Sequence, residues 1–226
     1  MKLSIIMPAY NEEKNILGIL KKVERVKLHF TKEIIIVDDG SKDRTREILK
    51  KIRKKQIKIF FHEKNRGKGA AIRTGISKAS GDVILIQDAD DEYDPNEYPK
   101  LLAPILKGAT VVYGSRFTGR HHPRYRFYYL GNKILTLLTN FLYASRITDM
   151  ETCYKVFRRD ALNGVVLRAK RFDFEPEITA KLLKNSHNIV EVPISYRSRS
   201  FKEGKKITWK DGIKAMFYLV KYRFTD

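Results

Sequence analysis

One cysteine, Cys153, stands alone in 226 residues, so no internal disulfide can form and a reducing compartment is the expected setting. Glutamine is almost as scarce, at two residues, while Lys, Arg and Ile are plentiful, a bias that would suit a thermophile. Acidic residues are in deficit as well: 26 Asp and Glu face 46 Lys and Arg, a formal charge of +20. The start, Met1 to Pro8, lacks the long apolar core and small-residue cleavage site of a secretory signal, and a cytoplasmic protein is the expectation. No G-x-x-x-x-G-K-[ST] loop occurs, and no G-x-G-x-x-G follows the first apolar run. Nucleotide triphosphatases and dinucleotide dehydrogenases are therefore disfavoured.

What is present belongs to a globular chain, 42% hydrophobic and 32% charged. Its positive field favours anionic partners such as nucleic acid, acidic lipid or phosphorylated substrates. The charge is uneven. Residues 1–112 hold 23 Lys and Arg against 16 Asp and Glu, whereas residues 113–226 hold 23 against 10, which makes the second half the expected docking side.

Short β-rich runs alternate with helical patterns through the first half, which predicts βαβ units and a mostly parallel sheet. Strands are expected at Lys2–Met7, Glu33–Val37, Ile57–His62, Asp82–Ile86 and Thr110–Tyr113, with helices at Glu12–Val26, Arg44–Arg53, Ala70–Ala79 and Glu97–Leu106. Open α/β sheets bind ligands outside the carboxyl ends of their strands. Here those ends read Pro8-Ala9-Tyr10-Asn11-Glu12, Asp38-Asp39-Gly40-Ser41, Asn65-Arg66-Gly67-Lys68-Gly69, Asp88-Ala89-Asp90 and Gly114-Ser115-Arg116. Five polar or glycine-bearing turns on one edge make a site.

Beyond residue 116 the alternation stops. Phe127–Ser145 carries Lys133 as its only charge, but Gly131, Asn132, Thr136, Thr139 and Asn140 interrupt it. A spanning helix wants about 20 predominantly apolar residues. A helix packed on the domain or lying in a membrane interface, with Tyr128, Tyr129 and Tyr143, is expected instead. A strand at Tyr154–Phe157, a helix at Glu177–Leu183, a strand at Ile189–Ile194 and a last helix at Thr208–Arg223 complete the chain.

Asp88-Ala89-Asp90 follows the apolar run Val83–Ile86, so two carboxylates leave a strand end together, and Asp91 and Glu92 add to the density. Such crowding is costly without a compensating cation. Hard oxygen ligands suit Mg²⁺ or Mn²⁺, bound through one or two carboxylates plus substrate phosphates. In Asp38-Asp39-Gly40-Ser41-Lys42-Asp43, Asp43 reads as a helix N-cap, and the two leading carboxylates read as acceptors for a base or ribose.

These motifs, with Thr148-Asp149, occur in family-2 glycosyltransferase order, and they resemble the dolichyl-phosphate mannose and glucose synthase branch over most of residues 1–207. The resemblance implies a GT-A, Rossmann-like α/β fold and transfer of a hexose from a nucleotide sugar to a polyprenyl phosphate with inversion. It implies that Pro8, Ala9, Tyr10, Glu12 and Asp39 hold the nucleoside. Lys68 and Ala89 join that donor set, while Asp88 and Asp90 hold metal and diphosphate. Glu92 stands where the branch often has Gln and is the expected third metal ligand. Mannose synthases usually carry a Ser-Gly-Phe-Arg-like stretch where this chain reads Met150-Glu151-Thr152-Cys153-Tyr154-Lys155, and Asn65–Gly69 looks more like the glucose synthases. The donor is left as GDP-mannose or UDP-glucose.

A lipid phosphate, with a second pKa near 6, arrives ionised and needs no strong base. The site must instead supply cations and a metal. Arg116, Arg199 and Lys206 are the candidates to meet the acceptor phosphate, and Asp149 and Arg116 the expected catalytic pair. One domain is expected, residues 1–116 holding the nucleotide sugar and 117–226 the acceptor, resting on the cytoplasmic face of an anionic membrane. If the acceptor were a sugar hydroxyl, Asp149 or Glu151 would serve as general base. A nucleic-acid-binding module, suggested by the charge and by Tyr125, Phe127, Tyr128 and Tyr129, leaves the five turns unexplained, and no nucleic-acid partner is expected.

Overall fold

The computed structural model describes residues 1–119, 126–199 and 208–225. Seven strands form one sheet: β1 (Lys2–Ala9), β2 (Thr31–Asp38), β3 (Ile57–Phe61), β4 (Val83–Ile86), β5 (Val111–Ser115), β6 (Lys155–Arg158) and β7 (Ile189–Pro193). Their order across the sheet is β3-β2-β1-β4-β6-β5-β7. β1, β2, β3 and β4 pair in parallel, as do β5 and β7, while β6 runs antiparallel between β4 and β5. The central strands are apolar almost throughout because helices cover both faces. Leu3, Ile5, Ile34, Ile36, Ile84, Leu85, Val112 and Phe157 are all wholly buried.

The helices are α1 (Ile16–Arg25), α2 (Thr45–Lys50), α3 (Lys68–Lys78), α4 (Tyr98–Leu106), α5 (Arg126–Tyr143), α6 (Phe174–Lys184) and α7 (Trp209–Phe224). In α1 the buried apolar stripe at helical spacing is Ile16, Ile19, Leu20 and Val23. Every expected strand and helix is present, with ends shifted by a few residues. The largest shift is at α1, which starts at Ile16 rather than Glu12 because residues 10–15 form the turn that bounds the site. Asp43 accepts the Thr45 N–H at 3.0 Å and the Glu13 N–H at 3.1 Å, tying the turns after β1 and β2 together.

One buried acid fastens the opposite end of the sheet. Glu33 accepts hydrogen bonds from the Ser4 hydroxyl at 2.6 Å and the Ser80 N–H at 2.7 Å, and pairs with Lys2 and Lys58. Burial alone would raise its pKa, but these bonds outweigh it and hold the carboxyl far below its usual range.

The run at 127–145 is a helix packed on the domain, and it leaves an apolar row exposed. Along α5, Thr136 and Thr139 are buried and Leu135 packs into the core, while Phe127, Leu130, Ile134, Leu137 and Phe141 form an exposed row at three- and four-residue spacing. α7 lies against α5 and repeats the pattern with exposed Trp209, Ile213, Phe217, Val220 and Phe224. The Tyr143 hydroxyl, donating to the Leu219 carbonyl at 2.6 Å, links the two helices. Among the described residues no helix is long and apolar enough to cross a membrane.

Candidate active site

Reversal of β6 leaves β1, β2, β3, β4 and β5 pointing the same way, so their carboxyl ends, and the residues leading into β6, share one edge of the sheet. A cavity of about 370 Å³ opens there. It is lined by Pro8, Ala9, Tyr10 and Glu12 after β1, Asp39 after β2, Lys68 at the start of α3, Asp88, Ala89, Asp90 and Glu92 after β4, and Arg116 after β5. Arg199 also reaches it. Lys206 and Tyr125 lie outside the described residues.

Backbone conformation sets this edge. Asn11 and Asp91 have φ of 52° and 64°, a left-handed geometry uncommon for residues with a side chain, and each turns the chain sharply beside the cavity. Gly67, with φ 97°, is required twice over: a Cβ there would lie 2.2 Å from the Lys170 carbonyl oxygen. The next turn docks on the same segment, with Gly69 N–H donating to the Arg171 carbonyl and Ala70 N–H to that of Lys170, each at 3.0 Å. Gln87, wholly buried, accepts the hydroxyls of Tyr98 at 2.7 Å and Tyr154 at 2.8 Å and donates to the Asp88 carbonyl at 3.0 Å. The acidic turn is therefore held from beneath.

The carboxylates are matched by cations. Lys68 Nζ lies 2.9 Å from Asp88 and 3.0 Å from Glu175 on α6. Burial disfavours its charge, but these two acids outweigh burial and hold the ammonium well above the ordinary lysine range. Arg199 reaches Asp90 at 2.7 Å and Glu12 at 3.2 Å. Expected on the acceptor side, it sits in this structure against donor-side acids. Burial, then the neighbouring Asp88 and Glu92, pushes the Asp90 carboxyl well above the usual carboxylate range despite Arg199. That unfavourable crowding fits a site for a divalent cation. Glu92 fits less well as its third ligand, because the carboxylate is turned onto the Tyr196 hydroxyl at 2.9 Å and the Arg199 N–H at 2.7 Å. Among the described residues no three His, Cys, Asp or Glu are gathered closely enough to hold an ion by themselves. Asp88 and Asp90, completed by substrate phosphates, are the pair that fits.

Two expected residues are differently engaged. Asp39 lines the cavity, but its carboxylate accepts the N–H groups of Arg66 at 2.9 Å and Gly67 at 2.7 Å and meets His62 Nδ1 at 2.7 Å. Asp149 does not line the cavity. Wholly buried, it takes Arg116 in a two-pronged ion pair, Nε and Nη2 each at 2.7 Å, and also accepts the Arg116 N–H at 2.9 Å. Asp149, expected to be catalytic, thus meets Arg116 rather than the cavity, and the guanidinium fork occupies both of its oxygens. Burial disfavours the Arg116 charge, yet Asp149 more than compensates and holds it well above the ordinary arginine range. The guanidinium also faces the Tyr196 ring at 5.1 Å.

The sequence did not single out Arg171, Phe172, Asn132 or Tyr196 as lining residues. Their only signal was the polar or aromatic character of segments outside the five strand ends. Glu151, named only as a possible base, also lines the cavity, and among the described residues its buried Oε1 has no hydrogen-bond partner. Burial, reinforced by Glu175, pushes its pKa up to about 8.

The profile of Glycosyl transferase family 2 matches residues 4–165. The chain is 30% identical to a dolichol-phosphate mannosyltransferase of Pyrococcus furiosus over 91% of its own length and 59% of that protein's. It is 32% identical to a UDP-N-acetylglucosamine–dolichyl-phosphate N-acetylglucosaminyltransferase of Methanococcus voltae, over 90% of this chain and 89% of that one. In fold it resembles glucosyl-3-phosphoglycerate synthase of Mycobacterium tuberculosis, solved with Mn²⁺, uridine diphosphate and phosphoglyceric acid. The TM-score is 0.75 at 19% identity, covering 100% of this chain and 79% of the other.

Proposed function

This chain belongs to glycosyl transferase family 2, and on that premise we propose that it moves a hexose from a GDP- or UDP-sugar to a polyprenyl or dolichyl phosphate. The observation that carries the reading is the convergence on one cavity of the β1 and β2 turns, the Asp88/Asp90 pair and the Arg116 guanidinium. The names of the Pyrococcus and Methanococcus relatives support a dolichyl-phosphate acceptor, and the mycobacterial structure, solved with Mn²⁺ and uridine diphosphate, supports a nucleotide donor with a divalent metal. Residues 1–226 are read as one catalytic domain, with 1–116 holding the donor and 117–226 the acceptor. The apolar rows of α5 and α7 then rest on an anionic membrane at its cytoplasmic face.

Asp88 and Asp90 would hold the metal, which when bound neutralises the diphosphate and stabilises it as a leaving group. Pro8, Ala9, Tyr10 and Glu12 fit the nucleoside. Arg116, fixed by Asp149, draws in the acceptor phosphate, whose ionised oxygen forms the new bond to the sugar carbon. The bond from that carbon to the diphosphate breaks, its electron pair leaves with the nucleoside diphosphate, and attack from the opposite face inverts the centre. No base is needed, because a phosphate monoester has its second pKa near 6. Asp149 is committed to Arg116, and burial, reinforced by Glu175, pushes the Glu151 carboxyl up to about 8.

Thermal melting with a panel of GDP- and UDP-sugars, with Mg²⁺ or Mn²⁺ and with EDTA, tests the donor site. One nucleotide family should raise Tm in a metal-dependent way, and Asp90→Asn should abolish the response. A Tm indifferent to every nucleotide sugar, with metal or without, contradicts the assignment.

A further inference from the structure

Strand order lays out the cavity as a sequence of compartments. Along the edge, β2 contributes Asp39, β1 contributes Pro8 to Glu12, β4 contributes Asp88 and Asp90, the entry to β6 contributes Glu151, and β5 contributes Arg116. If the nucleoside lies over β1 and β2 and the diphosphate over β4, the next compartment belongs to the group attached to the diphosphate. The one after it belongs to the acceptor phosphate at Arg116. Glu151 stands between the two.

Its backbone is fixed on both sides. Lys155 Nζ donates to the carbonyls of Met150 at 2.7 Å and Thr152 at 2.6 Å, the peptides that bracket Glu151. The Met150 N–H donates to the Thr136 hydroxyl at 3.1 Å, and the Cys153 N–H to that of Tyr93 at 3.0 Å. On this rigid turn the carboxyl keeps an oxygen that is buried and has no partner among the described residues. A buried polar atom left unpaired is costly, about 1–3 kcal/mol, and such atoms in native structures call for an explanation. A cation does not supply it here. Lys155 directs its donors to carbonyls and faces the Tyr113 ring at 4.1 Å, and Arg116 turns Nε and Nη2 onto Asp149 rather than onto Glu151. A phosphate suits the place poorly, because Glu175 and Asp149 add negative charge around the carboxyl. A neutral polyol suits the place, since sugar hydroxyls donate to a carboxyl oxygen and accept from a protonated one.

We propose that Glu151 reads the hydroxyls of the donor hexose and so sets which sugar the site accepts; this rests on the nucleotide-sugar reading of the cavity. Glu175 reinforces the arrangement from behind. Its Oε1 is held by Lys68, and its buried Oε2 is likewise without a partner among the described residues.

The test compares wild type, Glu151→Gln and Glu151→Ala in calorimetric titrations with UDP and GDP, and with UDP-glucose, UDP-N-acetylglucosamine and GDP-mannose, all with Mg²⁺. Both variants should bind the bare nucleoside diphosphates as wild type does. Both should lose affinity for the preferred nucleotide sugar by roughly 10- to 100-fold, what one hydrogen bond to a buried carboxyl commands, and should discriminate less among sugars. Wild type should lose a similar factor when the preferred donor carries a deoxy position at the hydroxyl concerned, and Glu151→Gln should lose little more from that change. Equal losses for diphosphate and nucleotide sugar, or unchanged sugar preference in both variants, would overturn the inference while leaving the donor site standing. Failure of wild type to bind any of the five nucleotides would overturn the donor site and the inference together.

Discussion

At the scale of single residues, the site is built from charges that hold other charges. Asp149 touches no open space, yet its fork decides where Arg116 points, and Glu191 in turn accepts the Thr148 N–H at 2.7 Å and the Asp149 N–H at 3.0 Å. Asp149→Asn should therefore act on stability and on acceptor binding together. Breaking a buried ion pair from one side costs about 3–5 kcal/mol, readable by urea denaturation. The acceptor KM should rise, while affinity for the nucleoside diphosphate and the shape of the pH profile should stay as in wild type. A fall in kcat of about 10²–10⁴ with stability unchanged is what loss of a general base produces, and it would return Asp149 to that role.

At the scale of elements, α5 and α7 each carry two faces, one packed inward and one exposed. The exposed row of α5 runs Phe127, Leu130, Ile134, Leu137 and Phe141, with Phe141 85% exposed, and α7 continues it with Phe217 and Phe224 at 63% and 80%. Side chains this apolar in open water favour an interface, and basic residues near an anionic surface add roughly 1 kcal/mol each. Wild type should sediment with anionic vesicles, less so at high salt, and Phe141→Glu with Phe217→Glu should release it at any salt without changing Tm. Unaltered vesicle binding by the double variant would separate these helices from the membrane. The strands and helices were legible in the sequence because their apolar spacing is local. The reversed strand β6 was legible only as a strand: Tyr154–Phe157 shows the pattern, but its direction depends on the long connection through α5. For the same reason the five strand-end turns could be read as one site, whereas Arg171, Phe172 and Tyr196 reach it by tertiary packing. The engagement of Asp149 by Arg116 and of Glu92 by Tyr196 joins residues 33 and 104 positions apart, which no local pattern records.

At the scale of the whole molecule, a single sheet edge gathers acids that suit a metal and diphosphate and an arginine that suits a second phosphate. The larger share of the excess positive charge lies in the half that carries the exposed helices. The central claim is that an acceptor already ionised is brought to the donor without a base. It is tested most directly by the rate of hexose transfer to a short-chain polyprenyl phosphate and to the matching polyprenol, across pH 5 to 9, with the preferred nucleotide sugar and Mg²⁺ or Mn²⁺. The account predicts transfer to the phosphate alone, with a rate that rises as the phosphate loses its second proton near pH 6. Comparable rates with the polyprenol, rising instead with the titration of a protein carboxyl, would contradict it.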